Sequence, residues 1–319
     1  MNALVTGGAG FIGSHLADRL LERDHRVVCV DNFLLGKKEN LQAAVKNPKF
    51  ALHNFDILEV EKLDKLFNSE NFDIVFHLAA NSDIRAGTKS TSLDLKLTFL
   101  TTYNVLECMR KHNVKKIVFT SSPAIYGYHK KPLQEDFTTR PESLYGAGKL
   151  ASEAFIRAFA GLYEMQIWIF RLSNMVGERA THGLVFDLLK KMEAETKYLE
   201  VLGDGNQCKP YMYVQELMDC MFFVLENTDQ QVNVFNVGPR DCTKVSEVVR
   251  ILLEETGRQR QVIYTGGPRG WKGDICCYRY DTSKIESLGW KPKMNSTEAV
   301  RFAVDKMVQS LCQRMLQTT

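Results

Sequence analysis

Tyr145 and Lys149 have the residue types and the spacing best suited to chemistry in this sequence. They stand four positions apart in the segment Ser143-Leu144-Tyr145-Gly146-Ala147-Gly148-Lys149, and on a helix this spacing places both side chains on one face. A lysine ammonium could then stabilise a tyrosine phenolate, although bringing a tyrosine pKa from ~10 towards neutrality takes about 4 kcal/mol. The pair is therefore a candidate for acid–base catalysis. The alternative is a surface pair, since the same spacing also occurs by chance.

A serine at the end of a predicted strand could complete such a site. Ser122 follows Thr120 and Ser121 directly after the apolar run 116–120. In a doubly wound fold the active site lies at the carboxyl ends of the strands, where the Ser122 hydroxyl could orient the reacting oxygen of a substrate. The alternative is a turn serine before Pro123, which is a common use of serine.

A glycine-rich turn near the start of the chain indicates a phosphate-binding loop. Residues 6–13 read Thr-Gly-Gly-Ala-Gly-Phe-Ile-Gly. The glycines permit a tight turn, a close approach of backbone to a pyrophosphate, and close packing of the next helix on the sheet. That helix N-terminus offers free N–H groups and a positive dipole end to the phosphates. A strand before the glycines and a helix after them is the context that a dinucleotide site requires. The expected contacts are Gly7, Gly10, Phe11, Ile12 and Gly13.

An acidic residue at the end of the second predicted strand favours NAD over NADP. Asp31 stands eighteen residues after Gly13, where a carboxylate accepts hydrogen bonds from the adenosine ribose and repels a 2′-phosphate. Asp56 follows the third predicted strand and could either face the adenine or cap the next helix. The remaining expected cofactor contacts are Asn32, Ile57, Leu78, Ala79 and Ala80, together with Tyr145 and Lys149.

Short apolar runs alternate with helical patterns over the first part of the chain. The predicted strands are 3–6, 26–30, 50–54, 74–78, 116–120 and 167–172, and the helical patterns between them include 14–22, 60–67, 93–112 and 149–162. This rhythm predicts an α/β fold with a doubly wound parallel sheet of the Rossmann type. Further helical patterns at 184–194, 214–226, 244–255 and 297–315 predict a smaller C-terminal α/β domain. We expect an NAD-binding domain at 1–172, with segments near 210–240 packing back on it, and a substrate-binding domain at 173–319.

Composition and charge exclude several classes of function. The chain of 319 residues has 41 basic and 38 acidic residues and a net charge of +3, so neither nucleic acid nor a membrane is an expected partner. The chain has no apolar run long enough to span a membrane, and its N-terminus reads as a strand rather than a signal peptide. We therefore expect a cytoplasmic protein. Its eight cysteines are scattered without metal spacing, which predicts reduced thiols, no disulfide and no metal site.

Several segments resemble the extended short-chain dehydrogenase/reductase family. They are 6–13, 77–80, 120–127, 145–149, Phe170-Arg171-Leu172-Ser173-Asn174, Gly203-Asp204-Gly205-Asn206-Gln207, Asn236-Val237-Gly238 and Leu288-Gly289-Trp290-Lys291-Pro292. Within that family the resemblance is to the NAD-dependent epimerases and dehydratases of nucleotide sugars, the UDP-glucose 4-epimerases in particular. It covers nearly the whole chain.

The resemblance implies a role for each candidate residue. Tyr145 would take the proton from the sugar 4-hydroxyl, Ser122 would bond that oxygen, and Lys149 would bind the nicotinamide ribose and lower the Tyr145 pKa. Segments 182–186 and 200–213 would close over the nucleotide, and helices 93–112 and 149–162 would pair two copies into a homodimer. The implied substrate contacts are Ser82, Arg85, Ser122, Asn174, His182, Gly183, Lys209, Tyr211, Arg269 and Asp274.

Two of these contacts have open alternatives. His182 could bond a phosphate or cap the helix that begins at Leu184. Arg85 could contact a uronic acid carboxylate or pair with Asp83 or Asp94 on the surface.

The residues after Ser122 distinguish the reactions of this family. Dehydratases of the family carry an Asp-Glu pair there, whereas this chain has Pro123 and Ala124, which cannot transfer protons. The resemblance therefore implies 4-epimerisation of a nucleotide sugar with NAD regenerated in each turnover. A dehydratase or oxidoreductase is the alternative, with Glu178 as the replacement acid. A non-catalytic NAD-binding regulator is disfavoured because Tyr145 and Lys149 are intact.

The chain also departs from the family pattern near the substrate. Lys209-Pro210 stands where an Arg-Asp pair is usual, and Trp271 stands where an arginine is usual, so Arg269 would serve the diphosphate instead. Thr98 replaces an asparagine of the helix after the fourth strand. These departures bear on the sugar and the nucleotide more than on the reaction.

Overall fold

The computed structural model describes residues 1–194, 197–271 and 273–317. The strands are β1 Asn2–Thr6, β2 Arg26–Val30, β3 Phe50–His53, β4 Ile74–His77, β5 Lys116–Ser121, β6 Gln166–Leu172, β7 Asn174–Val176, β8 Tyr198–Val201, β9 Cys208–Lys209, β10 Tyr211–Tyr213, β11 Val232–Val237, β12 Thr243–Lys244 and β13 Gln261–Tyr264. The α-helices are α1 Phe11–Glu22, α2 Val60–Ser69, α3 Ala86–Lys89, α4 Ser92–Asp94, α5 Thr101–Lys111, α6 Leu144–Tyr163, α7 Leu184–Glu193, α8 Val214–Asn227, α9 Val245–Thr256, α10 Ser283–Ser287 and α11 Ser296–Gln317. Short 3-10 helices lie at Lys38–Leu41, Ala44–Lys46 and Pro123–Ile125, and a π-helical segment at Leu95–Leu100.

A seven-stranded sheet in the order β11-β6-β5-β4-β1-β2-β3 carries the fold. Strands β1 to β6 pair with their neighbours in parallel. The predicted doubly wound Rossmann-type sheet is confirmed, and each predicted strand lies within one residue of its observed bounds. The strand β11 was not predicted in this sheet, because it lies beyond the part of the chain where strands and helices alternate regularly.

The strands are apolar on both faces because helices cover the sheet. Leu4 and Val75 from the strands share one core with Leu63 of α2, Leu106 of α5 and Ile156 of α6. Each such side chain contributes roughly 1.5–3 kcal/mol on full burial. This packing holds the carboxyl ends of β1, β4 and β5, where the candidate residues lie.

The helix predicted at 93–112 is interrupted in the structure. It consists of α4, the π-helical segment and α5. The Thr98 carbonyl accepts hydrogen bonds from the hydroxyls of Thr101, Thr102 and Ser152. Side chains that enter the helical ladder are a known cause of local departures from regular α-helix, and π-segments occur frequently at functional sites.

The chain divides into two compact units. The first comprises residues 1–125, 139–171 and 221–235, and the second comprises 126–138, 172–220 and 236–319. The second unit contains three two-stranded sheets, β10-β7, β12-β9 and β13-β8. Its helices α9 and α11 are joined by Arg301, which pairs with Glu254 and Glu255.

The prediction that all cysteines are reduced was wrong. Cys208 and Cys242 form a disulfide with a Cα–Cα distance of 5.6 Å across a separation of 34 residues. The antiparallel pairing of β9 with β12 brings the two segments that carry these cysteines side by side. Sequence spacing alone does not reveal such a tertiary approach. Among the described residues, Cys29, Cys108, Cys220, Cys276 and Cys277 are free thiols.

Within the described ranges, the structure contains no helix that is both long enough and apolar enough to cross a membrane.

Candidate active site

The turn after β1 has the geometry of a dinucleotide-binding loop. Helix α1 begins at Phe11 with Gly10 as its N-cap and no side-chain cap, so its first N–H groups remain available to an anion. A Cβ added to Gly13 would stand 2.1 Å from the Gly7 carbonyl oxygen. The loop therefore folds back on the helix in a way that only glycine allows at position 13, and this arrangement fits a bound pyrophosphate.

Asp31, the residue predicted to bind the adenosine ribose, holds the glycine-rich loop. Its Oδ2 accepts a hydrogen bond from the Ala9 N–H at 2.9 Å, and its Oδ1 accepts one from the Phe33 N–H at 2.8 Å. Burial raises the pKa of this carboxyl group. Each carboxylate oxygen can accept a second hydrogen bond, so Asp31 retains the capacity to bind ribose hydroxyls.

Asp56 forms a turn rather than a helix cap. Its Oδ1 accepts from the Leu58 N–H, while its Oδ2 accepts from the Asn32 side chain at 2.9 Å. Glu59, not Asp56, precedes α2. The structure thus joins Asn32 and Asp56, two predicted cofactor contacts, whereas Ile57 is buried in the core.

The carboxyl ends of β1 and β4 are joined by a buried polar network. Thr6 Oγ1 lies 2.7 Å from His77 Nδ1, and His77 Nε2 lies 3.0 Å from Thr102 Oγ1. Thr6 also accepts hydrogen bonds from the N–H groups of Leu78 and Ala79. This network fixes residues 78–80, which include the small residues Ala79 and Ala80, beside the glycine-rich loop, as a cofactor lying close to the backbone requires. Sequence reasoning missed Thr6 and Thr102.

The N-terminus of α6 fixes the positions of Tyr145 and Lys149. The Ser143 hydroxyl caps the helix by accepting from the Gly146 N–H at 3.1 Å. A Cβ on Gly146 would lie 2.4 Å from the Ala124 carbonyl oxygen, so glycine allows the helix to approach the turn after β5. The helix begins at Leu144, earlier than the predicted 149, and both candidate residues therefore lie on one face of its first turns.

Ser122, Tyr145 and Lys149 come together as the sequence predicted. The Ser122 hydroxyl lies close enough to the Tyr145 phenol to favour its deprotonation, and Lys149 Nζ donates to the Thr120 carbonyl at 2.7 Å. Lys149 Nζ also lies 5.9 Å from the centre of the Tyr145 ring. All three residues lie at the carboxyl end of β5.

Burial shifts the proton affinities of this group. It raises the pKa of Tyr145 to about 12, against the opposing influence of the nearby Ser122 hydroxyl. It lowers the pKa of Lys149 to about 7, against the attraction of Glu153 and Asp94. Among the protein groups alone the phenol thus stays protonated at neutral pH, so a phenolate needs a further positive charge of the kind an oxidised nicotinamide supplies.

The loop after β4 carries the predicted sugar contacts Ser82 and Arg85. Asn81 donates to Asp94 Oδ1 at 2.8 Å and to the Asp83 carbonyl. Asp94 is almost completely buried. It is therefore not the surface carboxylate that the sequence offered as an alternative partner for Arg85. Asp83 accepts from the backbone N–H of Arg85, whose side chain is exposed.

Four predicted nucleotide contacts are connected in the second unit. Asn174 and Tyr211 are register partners of β7 and β10, and the Asn174 amide lies 3.3 Å from the Tyr278 hydroxyl. Lys209 Nζ pairs with Asp274 Oδ1 at 2.6 Å. The lysine charge is therefore partly neutralised by a neighbouring carboxylate. Sequence reasoning missed Tyr278.

The other predicted nucleotide contacts lie on exposed segments. Gly183 directly precedes α7 without a side-chain cap, so His182 is not the cap that the sequence left open. The His182 Nδ1 lies 3.2 Å from Thr181 Oγ1. Arg269 is exposed. Glu178, the alternative acid for a dehydratase, accepts from the Tyr213 hydroxyl with both carboxylate oxygens.

Comparison with known proteins identifies the family. A model of the NAD dependent epimerase/dehydratase family matches residues 3–238. The chain belongs to this family. The resemblance inferred from the sequence is thereby confirmed.

The similar proteins include nucleotide-sugar epimerases and, at lower identity, UDP-glucuronic acid decarboxylases. A putative UDP-glucose 4-epimerase of Methanocaldococcus jannaschii is 34% identical over 310 residues, which are 95% of this chain and 97% of that protein. A UDP-glucose 4-epimerase of Thermotoga maritima, solved with UDP-glucose, is 32% identical with a TM-score of 0.88 and covers 98% of this chain and 100% of its own. A UDP-glucuronic acid 4-epimerase of Bacillus cereus, solved with UDP-glucuronic acid and NAD, is 27% identical with a TM-score of 0.86 and covers 97% and 100%.

Proposed function

We propose that this member of the epimerase/dehydratase family is an NAD-dependent 4-epimerase of UDP-linked sugars, of the UDP-glucose/UDP-galactose type. The observation that carries the proposal is the grouping of Ser122, Tyr145 and Lys149 at the carboxyl end of β5, followed by Pro123 and Ala124. These residues can move one proton at one oxygen. No side chain of Pro123 or Ala124 can carry out the second proton transfer that elimination requires.

Each residue has a separate task in this mechanism. The Tyr145 oxygen takes the proton from the sugar 4-hydroxyl and returns it when the 4-keto sugar is reduced on its other face. Ser122 bonds the same sugar oxygen and orients it towards Tyr145. Lys149 bonds the nicotinamide ribose and, as an ammonium, favours the Tyr145 phenolate.

NAD would be held by groups of the first unit. The N–H groups at the start of α1 would bind the pyrophosphate, Asp31 the adenosine ribose, and Asn32 with Asp56 the region of the adenine. When bound, NAD supplies the acceptor of the C4 hydride and a positive ring close to Tyr145. Because the same hydride returns to the sugar, no external cofactor is consumed.

The remaining candidate residues support a division of labour along the chain. We propose that residues 1–172, with segments near 210–240 packing back on them, form the NAD-binding domain and that 173–319 bind the nucleotide sugar. In the latter, Asn174, His182, Gly183, Lys209, Tyr211, Arg269 and Asp274 would contact the nucleotide and its phosphates. In the former, Ser82 and Arg85 would shape the sugar pocket.

A homodimer is proposed from an apolar surface of the first unit. Leu95, Leu100, Tyr103, Phe155 and Leu162 are exposed on the π-helical segment, α5 and α6, and Phe155 contacts the rings of Phe99 and Tyr103. Clustered apolar surface of this kind marks association sites. Sedimentation velocity tests the dimer.

We also propose a cytoplasmic location, supported by the free thiols of the described residues and opposed by the disulfide.

A product analysis tests the proposed reaction. The purified protein, without added cofactor, is incubated with UDP-, GDP-, CDP- and dTDP-sugars, and NMR identifies the products. We expect conversion of a UDP-sugar to its C4 epimer with no net change in absorbance at 340 nm. Loss of water, or NADH formed in proportion to product, would replace the epimerase by a dehydratase or an oxidoreductase.

A matched pair of tyrosine variants tests the assigned base. Tyr145→Phe should lower turnover by ~100-fold or more, as is typical for a lost acid–base group, while bound NAD is retained. Tyr198→Phe, at an exposed site on β8, is the control and should leave turnover unchanged. Near-normal turnover of Tyr145→Phe would refute the assignment of Tyr145 as the catalytic base.

A further inference from the structure

A buried ion pair lies one helical turn beyond Lys149. Glu153 on α6 and Arg171 on β6 are 2% and 4% exposed. They form two parallel contacts, Nε to Oε1 at 3.0 Å and Nη2 to Oε2 at 2.7 Å. Two-point arginine–carboxylate pairing of this kind holds both side chains in one geometry.

The position of this pair on the helix connects it to the candidate site. Tyr145, Lys149 and Glu153 are spaced by four residues each on α6, so their side chains follow one another along one face. Sequence reasoning stopped at Lys149, although continuing the same spacing would have found Glu153.

Lys149 is buried without a direct ion pair. In the described part of the chain no carboxylate lies within ion-pair distance of its ammonium, which donates instead to the neutral Thr120 carbonyl and lies 4.6 Å from the centre of the Phe119 ring. A buried ammonium is unstable unless charge nearby compensates it. The charged and titratable groups that face it are Tyr145 and Glu153 from α6, Asp94 from α4, His77 from β4, and Arg171 from β6 through Glu153.

We propose that Glu153 is a positioning residue that keeps the Lys149 ammonium charged, and that Arg171 holds the Glu153 carboxylate back from pairing with Lys149 directly. A carboxylate free to turn towards Lys149 would draw its ammonium away from Thr120 and from the ribose. A neutral side chain in place of Glu153 would leave two buried cations close together. The Glu153–Arg171 pair thus keeps Lys149 charged and leaves its N–H groups available for Thr120 and the ribose. This inference rests on the catalytic role proposed for Lys149.

The pH dependence distinguishes this role from a merely structural one. Lys149 acts as an ammonium, so activity should fall as the pH rises through its pKa. This fall in activity at high pH is the alkaline limb of the pH profile. Glu153→Gln removes the attractive charge and should move the limb to lower pH by about one unit or more. Arg171→Gln leaves the carboxylate free and should move the limb up. The double variant should return towards the wild type, because both charges are gone.

Controls cover loss of folding, since removing one partner of a buried pair is destabilising. Glu153→Asp keeps the charge and should keep the limb within about 0.3 pH units of the wild type. Glu286→Gln breaks the exposed pair with Arg240 in the second unit and should not shift the limb. Circular dichroism and thermal unfolding establish that each variant is folded.

A direct titration separates this proposal from the proposed function. NMR of protein labelled at the lysine ε-carbon reports the Lys149 titration, with Lys149→Met assigning the signal. A downward shift of that titration in Glu153→Gln, and an upward one in Arg171→Gln, supports the proposal even in a protein that epimerises nothing tested. Equal titrations in the wild type and both variants would overturn it, whereas full turnover in Tyr145→Phe would overturn the proposed mechanism instead.

Discussion

Gly13→Ala tests the assignment of the glycine-rich loop as the cofactor site. A Cβ at this position would stand 2.1 Å from the Gly7 carbonyl oxygen, 2.9 Å from the Gly7 carbonyl carbon and 3.0 Å from the Gly8 Cα. Ordinary contact begins at 3.4 Å, so the Gly7 carbonyl must retreat by 3.4 − 2.1 = 1.3 Å. The obstacle is backbone and cannot be relieved by rotation of a side chain.

The substitution is expected to lower both stability and cofactor binding. Forced repacking of this kind destabilises by ~1–3 kcal/mol. A displacement of about 1 Å in a binding loop can reduce function ~100-fold, so we expect NAD affinity to fall by that order. Isothermal titration calorimetry with NAD, after removal of bound cofactor, measures the loss.

A second glycine offers the matched control. Gly161 lies in α6 with no atom within 4 Å of an added Cβ, and glycine in a helix is ~0.5–1 kcal/mol less stable than alanine. Gly161→Ala should therefore be neutral or stabilising and should leave NAD affinity unchanged. The reasoning is refuted if Gly13→Ala binds NAD within about threefold of the wild type, a difference of less than 1 kcal/mol.

Three further predictions concern the ribose acid, the disulfide and a buried histidine. Asp31→Ala should shift NAD/NADP selectivity towards NADP by ~10-fold or more, whereas Asp24→Ala should not; unchanged selectivity would contradict the ribose role of Asp31. Cys242→Ser should lower the free energy of unfolding by about 4 kcal/mol for a loop of this length, with Cys277→Ser as the control; alkylation of both Cys208 and Cys242 without prior reduction would show that the bond is absent. Burial lowers the pKa of His77 from 6.5 to about 3, so its neutral form contributes stability that is complete above pH 6.5 and is lost as the pH falls towards 3. Urea unfolding should show about 2 kcal/mol of this loss at pH 5, and His77→Gln should remove it; equal pH dependence in both proteins would contradict this prediction.

Local patterns in the sequence were sufficient for six of the seven strands of the sheet, β1 to β6, and for the candidate catalytic group. These six strands are short apolar runs between turn residues, and their period and length predict them to within one residue. Tyr145 and Lys149 were found because a helix converts a spacing of four into a shared face. Ser122 was found because the ends of parallel strands meet at one edge of the sheet.

The features that the sequence did not predict depend on contacts between distant parts of the chain. The Cys208–Cys242 bond requires β9 and β12 to pair, and no spacing of cysteines announces that. The π-helical segment follows from donors of Thr101, Thr102 and Ser152 converging on one carbonyl. The Glu153–Arg171 pair joins a helix to a strand eighteen residues later. The helical spacing of four indicates Glu153, but nothing local in the sequence indicates that Arg171 is its partner.

The measurement that tests the account most directly follows the hydrogen at C4 of the sugar. UDP-glucose deuterated at C4 is converted by the protein in ordinary water, and unlabelled UDP-glucose is converted in D₂O, with NMR of the products. The account predicts UDP-galactose that keeps its deuterium at C4 in the first reaction and gains none at carbon in the second, because the hydride leaves and returns while Tyr145 exchanges only the oxygen-bound proton. Loss of the C4 deuterium, or incorporation of solvent deuterium at C5 or C6, would contradict it and would point to elimination chemistry.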